Sequence, residues 1–154
     1  MKNIKPYVIS FAVTFAAAAA GAVVTYTGMD RFSQLVQPPL SPPAFLFPVV
    51  WTILYALMAY GAAKVYEQEG TLYNKALFSY AVQLILNVGW SVIFFVLGQY
   101  LAAFIWLLLL WAAVIVMILL FYKADKTAGL IQIPYLLWLT FAAYLNLGIY
   151  LLNG

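Results

Sequence analysis

Residues 37–55 read QPPLSPPAFLFPVVWTILY, and this stretch separates what can be helix in the chain from what cannot. Five of the seven prolines fall here: Pro38, Pro39, Pro42, Pro43 and Pro48. Each fixes its own φ and removes a backbone donor, so 37–43 cannot lie in lipid as helix and is expected to form a stiff, extended cap. Pro48 is compatible with the first turn or two of a following helix, where N–H groups lack intrahelical partners. Trp51 and Tyr55 then fall one turn apart on one face, just beneath the cap. A rigid lid over an aromatic wall is the expected functional core.

The rest of the chain is apolar. Hydrophobic residues make up 68% of the 154 and charged residues 7%, against roughly 25% charged in an average globular chain. Several segments carry about 20 apolar residues, enough to cross ~30 Å of hydrocarbon. The short segments of alternating polarity that a transmembrane barrel needs are missing. The expected fold is therefore all-α: one integral membrane bundle of five transmembrane helices with a long, Pro-rich first loop. The spans fall at about 6–26, 44–66, 73–97, 100–122 and 128–152, in a single domain covering 1–154. The apolar run at the N-terminus is longer than a signal-peptide core, so a membrane span is expected there. Short connections between the later spans predict antiparallel neighbours, and only 27–43 is long.

Lys2, Lys5, Lys64, Lys75, Lys123 and Lys126 fall on one side of this arrangement, and Arg31 on the other. The positive-inside rule then puts the N-terminus in the cytoplasm and the Pro-rich loop outside a cell membrane. Topology and snorkelling account for the lysines without a site role. The net charge of +3, with no basic run interleaved with aromatics, excludes nucleic acid as an expected partner.

Cysteine and histidine are both absent. Disulfides, thiol nucleophiles, a histidine base and the ordinary zinc or haem-iron sites are thereby excluded, so no metal site is expected. Asp30, Glu67, Glu69 and Asp125 all fall in predicted connections, so paired-carboxylate catalysis and proton relays lack their parts. Neutral pores stay open as an alternative.

Three features inside the spans remain. Residues 16–22 read AAAAAGA, a surface for close helix contact, for a flat ligand, or for a second subunit. Ser79, Gln83, Asn87 and Ser91 recur every four residues as a polar stripe facing the bundle interior, with Trp90 beside it. Interhelical hydrogen bonding and pocket anchoring both account for that stripe. In the last span Tyr135, Trp138, Ala142 and Asn146 share a face, and pocket lining is favoured over packing. An interfacial belt explains Tyr150, and accounts for Tyr135 as an alternative. Trp106 and Trp111 are expected to be packing or lipid contacts.

At these residues the chain resembles the translocator protein family, also called tryptophan-rich sensory proteins or the peripheral benzodiazepine receptor (TspO/MBR) family. The matching pieces are Pro42-Pro43 with Pro48 and 50–55 (VWTILY), then 87–91 (NVGWS), then 134–146 (PYLLWLTFAAYLN). The resemblance covers essentially the whole chain. It implies a five-helix membrane bundle, commonly a homodimer, that needs no cofactor and binds protoporphyrin IX or a related tetrapyrrole. Some members bind sterols and drug-like hydrophobic ligands. The implied pocket includes Pro42, Trp51, Asn87, Trp90, Ser91, Trp138 and Ala142, with Tyr55, Tyr135 and Asn146 as neighbours. Light-dependent porphyrin degradation in some bacterial members would assign a catalytic part to Trp51 and Trp138. Two departures matter. The first loop has Arg31, Phe32 and Leu40 where relatives often carry further aromatics, which implies a looser lid. Residues 144–154 lack Lys and Arg, so the sterol-recognition pattern of animal members is missing and a bacterial member is implied. Tetrapyrrole sensing, transport or disposal is the leading expectation. Porphyrin photodegradation, or transport or sterol binding with no tetrapyrrole role, are the alternatives.

Overall fold

The computed structural model describes residues 3–154, and it is helical with no strand among them. Five helices are long and apolar enough to cross a membrane. They are α1 (Lys5–Ser33), α2 (Leu46–Glu69), α3 (Lys75–Ser91) with a π-helical continuation (Val92–Val96), α4 (Tyr100–Ala124), and the pair α5 (Lys126–Leu130) and α6 (Ile133–Asn153). The chain is a multi-pass membrane protein.

Burial within these helices follows side-chain size and face, because both faces are apolar. On α4, Ala103, Leu107, Leu110, Val114, Met117 and Phe121 recur every three or four residues and are buried. Leu101, Ile105, Leu108, Leu109, Val116 and Leu119 are equally apolar and stay exposed, as lipid-facing positions do. The main core joins the α4 stripe to Met58 and Val65 of α2, Tyr80 and Leu84 of α3, and Tyr135 and Leu139 of α6. The helices pack in the order α2, α1, α3, α4, α6. Between α2 and α6 the ring is closed by aromatic side chains near the Pro-rich connection. At the other end it is closed by α5 and the turn that follows it, from which Gln132 donates through Nε2 to the Leu57 carbonyl at 2.9 Å.

Several sequence expectations need correction. Helix α1 runs seven residues past the expected end at 26, because 27–33 contains no proline and Arg31 sits favourably at the carboxyl end of the helix dipole. Gly28 permits the extension: a Cβ there would collide with the backbone of Phe95. Asp30 is therefore helical, as are Glu67 and Glu69 in the last turn of α2. The connection shortens to 34–45, and it is not simply extended. It turns at Leu40, whose φ is 71°, and Ser41 Oγ donates to the Pro38 carbonyl at 2.7 Å. The last span is also broken rather than continuous. Pro134 lacks an N–H and its ring crowds the carbonyl four residues back, so α5 ends and α6 begins around it.

Candidate functional site

The lid is fastened to the end of α6. Asn153 accepts from Val36 N at 2.9 Å and donates to the Val36 carbonyl at 3.0 Å. Tyr144 donates to the Pro39 carbonyl at 2.6 Å. Pro38 is buried against Gly148, where a Cβ would come within 2.6 Å of its ring. Backbone donors lost to proline are thus replaced by side-chain contacts from one helix. Pro42 is half-buried within the same connection.

Beneath the lid, Pro48 stands in the first turn of α2 as expected and sets the register that points Trp51 inward. The Trp51 ring lies 5.5 Å from Tyr55, and edge-on to Tyr135 at 6.1 Å and to Trp138 at 6.5 Å. Phe47 adds an edge contact to Trp138 at 5.8 Å. Rings from α2 and α6 therefore meet as one wall, with the edge-to-face geometry their quadrupoles favour.

Behind the wall, the polar stripe of α3 completes a buried hydrogen-bond chain. Tyr55 Oη donates to Asn87 Oδ1 at 3.1 Å, and Asn87 Nδ2 donates to Tyr135 Oη at 2.7 Å. Tyr135 in turn donates to Gln83 Oε1 at 2.8 Å. Tyr135 is 1% exposed, which rules out its alternative as an interfacial belt residue. Asn87 is a hub joining three helices, engaged with both tyrosines that flank Trp51.

The remaining candidates form a second group nearer the π segment. Trp90 Nε1 donates to Asn146 Oδ1 at 2.9 Å, and Asn146 Nδ2 donates to the Tyr100 carbonyl at 2.9 Å. The Trp90 ring lies 5.2 Å from Phe94, and Ser91 is buried next to it in sequence. Ala142 is half-buried on α6 against the main core. Trp106 and Trp111 prove to be packing residues, donating to the Leu86 carbonyl and to Thr140 Oγ1.

A shallow groove of about 400 Å³ lies on the outer face between α2 and α6, lined by Val50, Ile53, Leu54, Pro134, Leu137, Trp138 and Phe141, with Ile53 and Leu137 more than half exposed. Of the ten residues singled out in the sequence, only Trp138 lines it. Its indole Nε1 is buried and has no hydrogen-bond partner. The other lining residues, and Phe47, were missed because an apolar residue facing a groove has no mark distinguishing it from one facing lipid. Gln83 was legible as part of the stripe, though not as the partner of Tyr135.

With the geometry in place, the comparisons with known proteins are decisive. The sequence profile of the TspO/MBR family matches residues 10–152. The chain belongs to the TspO/MBR family. It is 40% identical over 124 residues to the tryptophan-rich protein TspO of Chlorobaculum tepidum, covering 79% of this chain and 78% of that one. To protein CrtK of Rhodobacter capsulatus it is 38% identical over 147 residues, 93% and 92% of the two chains. To the translocator protein of Ovis aries it is 33% identical over 122 residues, 77% and 72% of the two. The expected TspO/MBR membership, read from the prolines, the 87–91 motif and the 134–146 motif, agrees with these matches.

Proposed function

We propose that this TspO/MBR protein binds a tetrapyrrole of the protoporphyrin IX type against the Trp51–Trp138 wall, and that it senses, carries or disposes of that ligand. Trp138 carries the reading. Its ring lines an apolar groove of about 400 Å³, and its N–H is buried without an acceptor. A buried donor left unpaired costs about 1–3 kcal/mol, and a ligand whose acceptor met the N–H on a small shift of the ring would remove that cost. The volume falls in the ~300–1,000 Å³ range of small-molecule sites. A flat, mostly apolar ring with a few polar substituents fits both the apolar lining and the single donor. Asn87, Tyr55, Tyr135 and Gln83 hold the wall from behind. A carrier role draws support from the name translocator protein borne by the sheep relative. The reading includes a homodimer, with the lid outside and the lysine-bearing end in the cytoplasm.

Trp51→Ala and Trp138→Ala are each expected to weaken protoporphyrin binding at least about tenfold, or ~1.4 kcal/mol, with helical content unchanged. Unaltered affinity in both variants would remove the wall from the site.

One observation favours the second reading, light-driven oxidation of the bound porphyrin by dioxygen. Trp138, Trp51, Tyr55 and Tyr135 form a contiguous set of oxidisable rings with neighbouring centroids no more than 6.5 Å apart. It predicts a product of shifted absorption on illumination in air, lost with Trp51→Phe. Equal product from free porphyrin without protein rejects it.

A further inference from the structure

Helices α1 and α3 run parallel, and their separation changes along their length. At the lid end they touch, Gly28 against the Phe95 backbone. Midway, the Thr14 and Tyr80 hydroxyls hydrogen-bond. Below that pair the helices splay, leaving a cavity of about 480 Å³ at the lysine-bearing end, remote from the lid. Its back wall is Ala62 and Ala63 of α2, buried residues too small to fill it. Its sides are Ile9 and Val13 of α1 and Leu77 of α3, and Ile9 and Val13 are 50% and 53% exposed, so the wedge opens sideways onto lipid.

The polarity of the wedge is one-ended. Deep within it, Tyr80 is held by Thr14 and Ser10 donates to the Ala59 carbonyl at 2.6 Å, so both hydroxyls are engaged. At its mouth stands Lys5, the first residue of α1, whose ammonium makes no ion pair among the described residues. Of the other charged groups at this end, Lys64 pairs with Asp125 at 3.9 Å and Glu67 accepts from Tyr7 at 2.8 Å, while Glu69 and Lys75 are exposed and do not line the wedge. At 29 residues and ~1.5 Å per residue, α1 exceeds a ~30 Å hydrocarbon core, which brings Lys5 to headgroup depth. A largely apolar slot open to lipid, with the Lys5 ammonium at its interfacial end, matches an anionic amphiphile.

We propose that this wedge holds one acyl chain of an anionic glycerophospholipid from the adjoining leaflet, with the headgroup phosphate at Lys5. The site is separate from the aromatic wall and does not depend on what binds there. Thr14 and Tyr80 set how far the chain enters, and Ala62 and Ala63 supply the room.

Native mass spectrometry of the purified full chain tests this, with phosphatidylglycerol and phosphatidylcholine of identical acyl chains supplied in equal amounts. The protein is expected to retain one phosphatidylglycerol per chain in preference to phosphatidylcholine. Lys5→Gln should abolish the preference. Ile9→Trp, a change at a half-exposed side chain that fills the wedge, should abolish retention of both lipids, with helical content by circular dichroism unchanged. Equal retention of the two lipids by the unaltered protein overturns the proposal. So does full retention by Ile9→Trp, since the headgroup would then be held on the surface with no chain between the helices. Displacement by free glycerol phosphate at millimolar concentration also overturns it, because the acyl chain would then contribute nothing.

Discussion

Replacing Asn87 with alanine removes the hub of the buried chain behind the aromatic wall, and the cost can be worked bond by bond. Tyr55 Oη loses its acceptor while remaining buried. An unpaired buried donor costs about 1–3 kcal/mol. Tyr135 Oη loses the bond it accepts from Asn87 but keeps the one it donates to Gln83, a loss of about 0.5–1.5 kcal/mol. In lipid these figures shrink, because the unfolded chain finds other partners there, and measured couplings average about 0.6 and reach about 1.7 kcal/mol. A loss of about 2 kcal/mol is therefore expected for Asn87→Ala. If the Tyr55 hydroxyl is the main loser, Tyr55→Phe should cost little more once Asn87 is gone, so the double variant should be more stable than the sum of the single changes by about 1 kcal/mol. Reversible unfolding in mixed detergent micelles measures all three. A cost below about 0.5 kcal/mol for Asn87→Ala, or strict additivity in the double variant, would show that the chain does not support the wall.

Four further outcomes are expected. Gly28→Leu places a side chain on the Phe95 backbone, which cannot move aside as a flexible side chain would; overpacking of about 1–3 kcal/mol should appear as a lowered unfolding temperature, and an unchanged one would deny the close contact of α1 with the π segment. Trp138→Phe keeps a ring in the groove wall and deletes the unpaired N–H, so the ligand-free protein should gain up to about 1 kcal/mol, whereas a loss of more than that would mean the N–H is paired. Asn153→Ala removes both bonds to Val36, and amide hydrogen exchange across 34–45 should speed up while α2 is unaffected; equal exchange would mean that Tyr144 and Pro38 hold the lid alone. Because the chain has no cysteine, Leu40→Cys and Glu69→Cys each introduce a single thiol. A membrane-impermeant maleimide on intact cells should label the first and spare the second, and the reverse would invert the orientation.

The parts of the fold and site legible in the sequence were those where a residue differs in kind from its surroundings. Prolines amid apolar helix marked the lid and the register of α2, and three of the four polar residues spaced by four, Gln83, Asn87 and Ser91, marked the buried face of α3, while the half-buried Ser79 bonds back to the Ala76 carbonyl of its own helix. Trp51 and Tyr55 were read on one face from spacing alone, and their rings lie 5.5 Å apart, tilted by 31°. What stayed hidden depended on tertiary contact. The continuation of α1 to Ser33 rests on Gly28 meeting Phe95, a residue far away in the sequence. Val50, Ile53 and Leu137 line the groove, but nothing in the sequence separates them from Val49 or Leu101, which are also exposed and do not line it. The stripe read as pocket anchors or as interhelical bonding turned out to be engaged at Asn87 with Tyr55 and Tyr135, so in this conformation its amide positions the wall. The break ahead of α6 was signalled by Pro134, within a run otherwise read as continuous.

The central claim is that a tetrapyrrole seats against Trp51 and Trp138, and a dark fluorescence titration of the purified protein with protoporphyrin IX tests it most directly. Saturable quenching of tryptophan emission is predicted, with a quenched fraction that falls in Trp138→Phe relative to the unaltered protein. Quenching that rises linearly without saturation, or that is the same in Trp138→Phe, would contradict it.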